Sequence, residues 1–496
     1  MKQLIFFATN ACYFRLIVNF AFKSREHSYM TIVIVSILLL GCLLIATENI
    51  TKVNRAAVAI FAGTVGWVLY ICFGMDFVTS QHAYDFSSYL HSQTPAIPES
   101  SATVKSFISR FVFLPYVGRA AEIVLFLLAT MTIVEILNNN GCFDFIRKLL
   151  RTRNSKRMIW TLSVVTFVIS ANLDNLTTTV MMLTIMHGII PSRRQRMFYG
   201  SAILLSANCG GALTVIGNPE GLVLWNGGAV TATSYSMSLL LPCLATWLVP
   251  TYLISRSLPE RVDTEWIVMP YRGDDTRLNV WQRLLMLFVG IGGLWFIPTF
   301  HNISKLSPFL GALCVLSVLW IVNEIFNRKL MNMDAMVDRR TPRVLQYGVI
   351  QMILFVMGIM LAVGVVKETG AYDELMEYLG VNDSQPFVWL HGVAAGVLST
   401  VLDNFATAIN FFSLPDEMGQ TGLASELSTV YSCNGLYWRV VAFCVMAGGN
   451  ILGIGTMSGL ALMKMERMHV GWFFRHVGWK ALVGGIIGLG FLWLMQ

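Results

Sequence analysis

The sequence predicts an all-α polytopic membrane protein made of two inverted repeats. Each repeat is expected to contain five transmembrane helices plus one re-entrant hairpin, with broken helices at the membrane midplane. Three observations lead to this prediction. Of the 496 residues, 55% are hydrophobic and only 13% are charged, about half the charged fraction of a soluble protein. Apolar runs long enough to cross a hydrocarbon core of about 30 Å recur along the chain. Two apolar segments carry the same Leu-Asp-Asn at their centres, at residues 173–175 and 402–404.

Charge and cysteine content argue against a nucleic-acid-binding protein and against metal ligation by the cysteines. The formal net charge of +7 comes from Lys and Arg residues in loops beside apolar runs, as the positive-inside rule expects. No surface of interleaved aromatic and basic residues indicates nucleic acid. The nine cysteines are scattered and form no C-x-x-C pair, so they are interpreted as small packing residues. No cofactor is expected.

The chain is divided into four segments. Residues 1–29 are an N-terminal extension of uncertain status, because Arg15 interrupts their apolar run. An additional span, a signal segment and a start at Met30 are all compatible with this pattern. The other segments are a first transmembrane repeat, a cytoplasmic linker rich in Arg and a second, inverted repeat, at 30–255, 256–283 and 284–496.

Ten full crossings are predicted from the apolar runs and their breakers. They lie near 30–48, 55–73, 119–137, 200–222, 236–255, 284–300, 307–326, 345–366, 437–463 and 479–495. Each repeat therefore has an odd number of crossings, which forces the second repeat to run inverted relative to the first.

A re-entrant hairpin is predicted for residues 158–190. Basic residues flank it on both sides, in 147–157 and in 193–196, and place both of its ends in the cytoplasm. One continuous helix here would be about 50 Å long, which is too long for a single crossing. Two half-helices that meet near Asn172–Asn175 fit both facts. Residues 387–413 are expected to form the matching hairpin from the outside.

Two carboxylates lie at the tips of these hairpins, Asp174 and Asp403. A charged side chain at the bilayer centre costs about 2.5–3.5 kcal/mol on insertion scales. Capping of the second half-helix is the structural alternative for both residues. Because intramembrane carboxylates are functional residues by default, both are predicted to bind the transported ion, with sodium as the proposed metal.

Oxygen ligands suited to a hard cation surround the two carboxylates. At the hairpins these ligands are Asn175, Thr177, Thr178, Asn404 and Thr407. Two Gly-rich segments, 208–221 and 448–459, are predicted to break their helices. The ligands there are Asn208, Asn218, Glu220, Thr456 and Ser458. Helix capping and interhelical hydrogen bonding are the alternative roles for the hydroxyl groups. Glu135, Glu220 and Glu368 are candidates for a proton relay. Glu135 and Glu368 are predicted to occupy matching repeat positions, with solvated interfacial residues as the alternative.

An intramembrane aspartyl protease that uses Asp174 and Asp403 is the alternative from another class of function. No P-loop, zinc-binding pattern or placed nucleophile–base pair indicates an enzyme. Paired Gly-rich breaks and re-entrant hairpins serve transport directly, so the chain is predicted not to be an enzyme.

As a set, these motifs resemble the NhaD-type sodium/proton antiporters of the ion-transporter superfamily, over nearly the whole chain from Met30. The resemblance rests on "ENITKVNRAAVAIFAG", "SANLDNLTTT", "SANCGGALTVIG", "LSTVLDN" and "GGNILGIGTMSGLALMKME". It implies a homodimer in the lipid bilayer that exchanges cytoplasmic sodium or lithium for external protons. The inner membrane of a bacterium is the expected location.

The family's ion-site residues carry over to matching positions of this chain. They are Asp174, Asn175, Thr177, Thr178, Asn208, Ser399, Asp403, Asn404, Ser458 and Glu135. Two family features differ: the run from Gly217 to Gly221 reads "GNPEG" in place of Gly-Asp and hydroxyl residues, and "NNNG" replaces a histidine after the Glu135 helix. Gly-Asn-Pro breaks resemble those of anion-carrying members, so an arsenite or carboxylate carrier is the alternative function.

The predicted mechanism is competition between a proton and a sodium ion for the same carboxylates. Burial favours the neutral form of a carboxyl group, and a bound cation favours the ionised form. Rocking of the hairpins and Gly-rich breaks against the other spans would then expose the site to each side in turn.

Overall fold

The computed structural model describes residues 29–92, 100–150, 152–262, 278–327, 343–378, 385–415 and 430–496. Within these ranges the chain is almost entirely helical, and the β contact found there is an isolated bridge between Asn154 and Arg261. The N-terminal extension up to residue 28, linker residues 263–277 and the basic loop 328–342 lie outside the described residues.

The helices of the first half alternate between long spans and short connecting helices. They are α1 (Tyr29–Ala46), α2 (Glu48–Thr51), α3 (Arg55–Cys72), α4 (Gly74–Gln81), α5 (Ala83–Ser92), α6 (Ser101–Phe107), α7 (Leu114–Asn139), α8 (Asp144–Leu149), α9 (Ser155–Ser170), α10 (Asn175–His187), α11 (Arg193–Leu213), α12 (Pro219–Asn226) and α13 (Ala232–Ser255). A π-helical segment, Ile108–Phe113, joins α6 to α7.

The second half has a similar order of helices. They are α14 (Val280–Leu287), α15 (Gly293–Ser304), α16 (Pro308–Asn327), α17 (Arg343–Glu368), α18 (Ala371–Tyr378), α19 (Gln385–Ser399), α20 (Asn404–Phe412), α21 (Leu436–Leu452), α22 (Met457–Glu466), α23 (Val470–Phe473) and α24 (Trp479–Leu494). Short π-helical segments join α14 to α15 and α23 to α24.

Nine helical segments of the described residues are long and apolar enough to cross a membrane. They correspond to nine of the ten predicted crossings. The exception is the crossing predicted at 200–222, which is α11 followed by α12. Helix α11 begins with arginines, and its inner part, which includes Ser206 and Asn208, is almost completely buried. It can be this polar because protein surrounds it and supplies the hydrogen-bond partners that lipid lacks.

Both predicted hairpins are helices with a break at the expected place. Residues 171–174 separate α9 from α10, and residues 400–403 separate α19 from α20. The Gly-rich segments break as well, between α11 and α12 and between α21 and α22. Asp174 and Asp403 are the N-caps of α10 and α20, so each carboxylate lies at the start of the second half-helix.

Helix lengths and turns recur in the two halves at constant spacing. Helices α7 and α17 both have 26 residues, and each is followed by a glycine with positive φ, Gly141 or Gly370. The spacing from Gly141 to Asp174 equals that from Gly370 to Asp403. Glu368, the last residue of α17, therefore corresponds to the last residue of α7, Asn139. The predicted match of Glu135 with Glu368 is wrong by one helical turn, because the glycine turns, and not the acids, fix the register.

Contacts between the halves bring the broken helices together. Helix α17 packs along α3, where a Cβ on Gly63 would lie 2.8 Å from the carbonyl oxygen of Gly358. Such close approach of backbones is typical of helix packing in membranes. Helix α10 contacts α22, and α12 contacts α20. The helix that follows each tip aspartate therefore contacts the second helix of the other half's Gly-rich break.

Candidate ion-binding site

The first tip holds Asp174, whose side chain is only 3% exposed. Its Oδ2 accepts hydrogen bonds from the backbone N–H of Thr177 at 2.9 Å and from the Thr177 hydroxyl at 3.1 Å. Its Oδ1 is buried without a hydrogen-bond partner. Asp174 therefore caps α10 with one oxygen, and the second oxygen is available to a proton or a cation.

The second tip holds Asp403, which is 5% exposed. Its Oδ1 accepts a hydrogen bond from the backbone N–H of Phe405 at 3.0 Å. Its Oδ2 accepts one from Nη1 of Arg55 at 2.6 Å. Both oxygens of Asp403 are thus engaged, unlike those of Asp174.

Arg55 was not among the predicted site residues, although it lies within one of the quoted motifs. It is 6% exposed, and its Nε donates to Oε2 of Glu48 at 2.7 Å. Oε1 of Glu48 lies 3.3 Å from Nζ of Lys464. Burial raises the pKa of Glu48, but the charges of Arg55 and Lys464 outweigh it and lower this pKa overall. One sequence signal was available: Arg55 is the first residue of α3, where the helix dipole disfavours a cation.

Five further side chains of the described part of the chain have a buried oxygen without a partner on the helices that begin at the breaks. They are Thr178, Thr179, Thr407, Glu220 and Ser458. Thr178 and Thr407 each lie four residues after a tip aspartate, and Glu220 and Ser458 each lie two residues after the N-cap of α12 or α22. All of these oxygens except that of Thr179 thus occur at corresponding positions of the two halves.

Helix contacts bring these oxygens to the region between the halves. Helix α22, which carries Ser458, contacts α10, and helix α12, which carries Glu220, contacts α20. Glu220 therefore stands among the candidate ion-site residues.

The predicted amide residues connect the tips to the Gly-rich breaks. Nδ2 of Asn175 lies 3.4 Å from Oδ1 of Asn208, and Nδ2 of Asn208 donates to Oδ1 of Asn450 at 2.8 Å. Oδ1 of Asn404 accepts a hydrogen bond from the Ser399 hydroxyl at 2.6 Å. Asn450, which belongs to the predicted second Gly-rich break, thereby links the two halves.

Backbone hydrogen bonds hold each tip against its own Gly-rich break. The N–H of Asn175 donates to the carbonyl oxygen of Gly217 at 3.2 Å, and that of Asn404 donates to Gly455 at 2.8 Å. Asn218, predicted as an ion ligand, uses its Oδ1 to cap α12 through the N–H of Gly221 at 2.9 Å. At this break Glu220, and not Asn218, presents the unpartnered oxygen.

The other two proton-relay candidates lie on α7 and at the end of α17. Glu135 is half-buried one turn before the end of α7. Oε2 of Glu368 lies 2.6 Å from Nε2 of His82. This hydrogen bond is the largest cause of the raised pKa of His82. Its effect is larger than that of burial, which by itself would lower this pKa. Glu368 is thus engaged with His82, in the connection between α4 and α5.

The described part of the site presents oxygen ligands. Among the described residues, no group of three or more His, Cys, Asp or Glu side chains could hold a metal ion. The first tip presents the unpartnered Oδ1 of Asp174 and the hydroxyl group of Thr177, and oxygen atoms are the ligands that hard cations prefer.

Comparisons with known proteins give one family match and several relatives. A family model described as "Citrate transporter" matches residues 30–432. The chain is 32% identical over 377 residues to sodium/proton antiporter 1 of Arabidopsis thaliana, covering 75% of this chain and 61% of that protein. It is 29% identical to sodium/proton antiporter 2 of the same plant, with 75% and 84% coverage. It is 26% identical to the Na(+)/H(+) antiporter NhaD of Vibrio parahaemolyticus, with 73% and 87% coverage.

These matches bear on two predictions. The resemblance to NhaD-type antiporters, inferred from the motifs, is confirmed by the relatives. The relatives are transporters by their names, which also confirms the prediction of a transporter instead of an enzyme. The match covers less than two thirds of the first Arabidopsis protein.

Proposed function

This chain belongs to the membrane-transporter family described as citrate transporters, and on that premise we propose that it is a secondary transporter that exchanges sodium ions for protons. The relatives named as sodium/proton antiporters support this substrate pair. The single observation that carries the proposal is the buried carboxylate of Asp174, whose Oδ1 has no partner.

The proposed mechanism is competition at that oxygen. With no cation present, a proton neutralises the buried carboxyl group, because burial disfavours an isolated charge. A sodium ion that enters between the Asp174 oxygen and neighbouring hydroxyl groups replaces this proton, and the site cannot hold both. Thr177 orients the carboxylate through two hydrogen bonds to its other oxygen. Movement of the site between the two faces of the membrane then couples one flux to the other.

The alternating movement follows from the proposed architecture. We interpret the two broken-helix pairs, α9–α10 and α19–α20, as re-entrant hairpins in two inverted repeats, divided as the sequence predicts. Constant spacing of the glycine turns and tip aspartates supports this interpretation, as does the crossed packing of α10 with α22 and α12 with α20. On the predicted topology, cytoplasmic sodium leaves as external protons enter.

Transport of a carboxylate anion is the second candidate, favoured by the description of the matching family model. The charges at the tips argue against it. Asp174, Glu220 and Asp403 are all buried acids, and Arg55, the buried cation described beside them, is already paired with two carboxylates. An anion such as citrate would meet repulsion from these acids without a free cation to offset it.

The test is proton movement in everted vesicles, followed with a pH-sensitive dye on addition of sodium. We expect Asp174→Asn to abolish the sodium response, because an amide can neither release a proton nor neutralise a cation. Asp76→Asn is the matched control, since Asp76 is an exposed residue in the first turn of α4. It should leave the response unchanged.

Three results would contradict the proposal. One is a normal sodium response of a membrane-inserted Asp174→Asn variant, and another is wild-type vesicles that respond to neither sodium nor lithium. The third is wild-type vesicles that respond to citrate instead. Lithium as a substrate, a homodimer and a bacterial inner-membrane location stay predictions, since the named relatives come from both bacteria and a plant.

A further inference from the structure

The two tips have the same backbone design but different electrostatic partners. Asp174 and Asp403 each cap the second helix of their pair, and each is followed four residues later by a threonine with an unpartnered hydroxyl. Only at Asp403 does a basic side chain donate a hydrogen bond to the second carboxylate oxygen. The position that a transported cation could take at the first tip is thus occupied by a guanidinium group at the second.

Arg55 is fixed in this place by several contacts. Its Nη1 donates to Asp403 and its Nε donates to Glu48, so a single planar group spans two carboxylates. Its Cζ lies 5.8 Å from the ring centre of the buried Phe355 on α17. Arginine is suited to this role, because its guanidinium stays charged and offers donors in a rigid fork.

The other half of the chain lacks this cation at the corresponding place. Helix α3 starts three residues after Lys52, which has a φ of 60°, and α16 starts three residues after Lys305, which has a φ of 58°. The first residue of α3 is Arg55, and the first residue of α16 is Pro308. The difference between the tips is therefore a substitution at one position of a shared turn.

We propose that Arg55 is a resident cation that removes Asp403 from ion exchange, so that the exchanging carboxylates are Asp174 and Glu220. This inference rests on the proposed sodium/proton antiport. Asp403 then has a positioning role: it anchors the start of α20 to α3 through Arg55. Glu220 lies on the helix beside the same tip and has an unpartnered Oε2, so it is the acid there that can still take a proton or a cation.

The charges around Arg55 agree with this assignment. Its single positive charge is shared between the carboxylates of Asp403 and Glu48, as a buried charge requires a partner. Arg55 is therefore already engaged by two acids and has no charge left to offset Glu220.

Removing the charges of Arg55 and Asp403 separately and together tests the proposal. Sodium half-saturation of proton movement is measured for Arg55→Gln, Asp403→Asn and the double variant, with thermal unfolding of the purified proteins in parallel. Asp403→Asn should raise the half-saturation concentration about tenfold or more, because it removes one of the two carboxylates that compensate Arg55 and leaves excess positive charge at this tip, which disfavours a transported cation. Arg55→Gln should lower the thermal midpoint and shift the half-saturation. The double variant should be closer to the wild type than either single variant in both measurements.

Lys52→Gln is the matched control. It removes an exposed cation three residues before Arg55 in the same turn, and exposed charges contribute little. It should change neither measurement. If Arg55→Gln fails to fold, the double variant still decides, since it removes Arg55 and Asp403 together and leaves Glu48 with Lys464 as its partner.

Provided that wild-type vesicles respond to sodium, two outcomes would overturn the proposal. The first is a folded double variant that is as inactive as Asp403→Asn, which would make Asp403 a ligand of the transported ion. The second is Arg55→Gln with the sodium half-saturation of the wild type. Wild-type vesicles that do not respond to sodium or lithium would instead refute the proposed function.

Discussion

His82 and Glu368 form a titratable pair between the connection that follows α4 and the end of α17. Glu368 lies within hydrogen-bond distance of His82, and Asp85 lies 3.8 Å from the other ring nitrogen. Because the pKa of His82 is raised above its ordinary value of 6.5, the protonated histidine stabilises the folded state. This contribution is fully present below about pH 6.5 and is lost as the pH rises through the raised pKa.

The pair predicts a pH-dependent stability that a single substitution removes. We expect the thermal midpoint of the purified protein to fall as the pH rises above about 6.5. The His82→Gln variant should lack the part of this fall that comes from the titration of His82. His91→Gln is the matched control, because His91 is an exposed residue of the neighbouring α5. The interpretation is wrong if His82→Gln and the wild type show the same pH profile.

At the scale of elements, the hairpins depend on glycines that let backbones touch. A Cβ on Gly448 of α21 would collide with the carbonyl oxygen of Gly396 on α19. A Cβ on Gly210 of α11 would collide in the same way with Phe167 on α9. Gly210 and Gly448 are therefore contact points between each Gly-rich helix and the predicted hairpin of the same half.

Alanine substitutions should separate this packing role from helix propensity. Gly448→Ala and Gly210→Ala should each destabilise the protein by about 1–3 kcal/mol, because a backbone carbonyl cannot move aside as a side chain can. Gly118→Ala is the control within α7, where a Cβ would meet nothing within 4 Å. It should be neutral or stabilising, since Ala favours helix by up to about 1 kcal/mol over Gly. Equal thermal midpoints for all three variants would contradict this account.

At the scale of the whole molecule, the two halves interlock at both ends of their broken helices. Nε of Arg196, in the first turn of α11, lies 3.0 Å from Oε1 of Glu466 at the end of α22. In the other direction, Oδ1 of Asn434, just before α21, accepts a hydrogen bond from the N–H of Thr231, which follows α12, at 2.7 Å. Each half thus holds the end of the other half's broken helix, and we expect neither half to fold alone.

The proposed inverted topology makes a prediction about which loops are accessible from each face of the membrane. In a background with Cys12, Cys72, Cys314 and Cys433 replaced by Ser, a membrane-impermeant maleimide should label Arg194→Cys only from the cytoplasm. The same reagent should label Tyr378→Cys only from outside. Both positions are exposed, one just after the first hairpin and the other before the second. Labelling of both from one face would refute the inverted repeat.

The sequence by itself determined the features that depend on local patterns. Apolar length fixes which segments can cross a membrane, and nine of ten predicted crossings agree with helices of the described residues. Polar residues inside apolar runs and Gly–Pro breakers located the four breaks, because helix termini need capping groups where the chain leaves the helix. The caps Asp174 and Asp403 follow from the same rule.

Only the tertiary structure decided how these two aspartates differ. They sit in the same local motif, so no local pattern distinguishes them. The difference is Arg55, which lies 348 residues from Asp403 along the chain and resembles an ordinary basic residue of a loop. A buried carboxylate is neutralised by whichever charge the fold brings within hydrogen-bond distance. That partner is set by the packing of α3 against α17 and of the second hairpin against α12, and therefore by contacts remote in sequence.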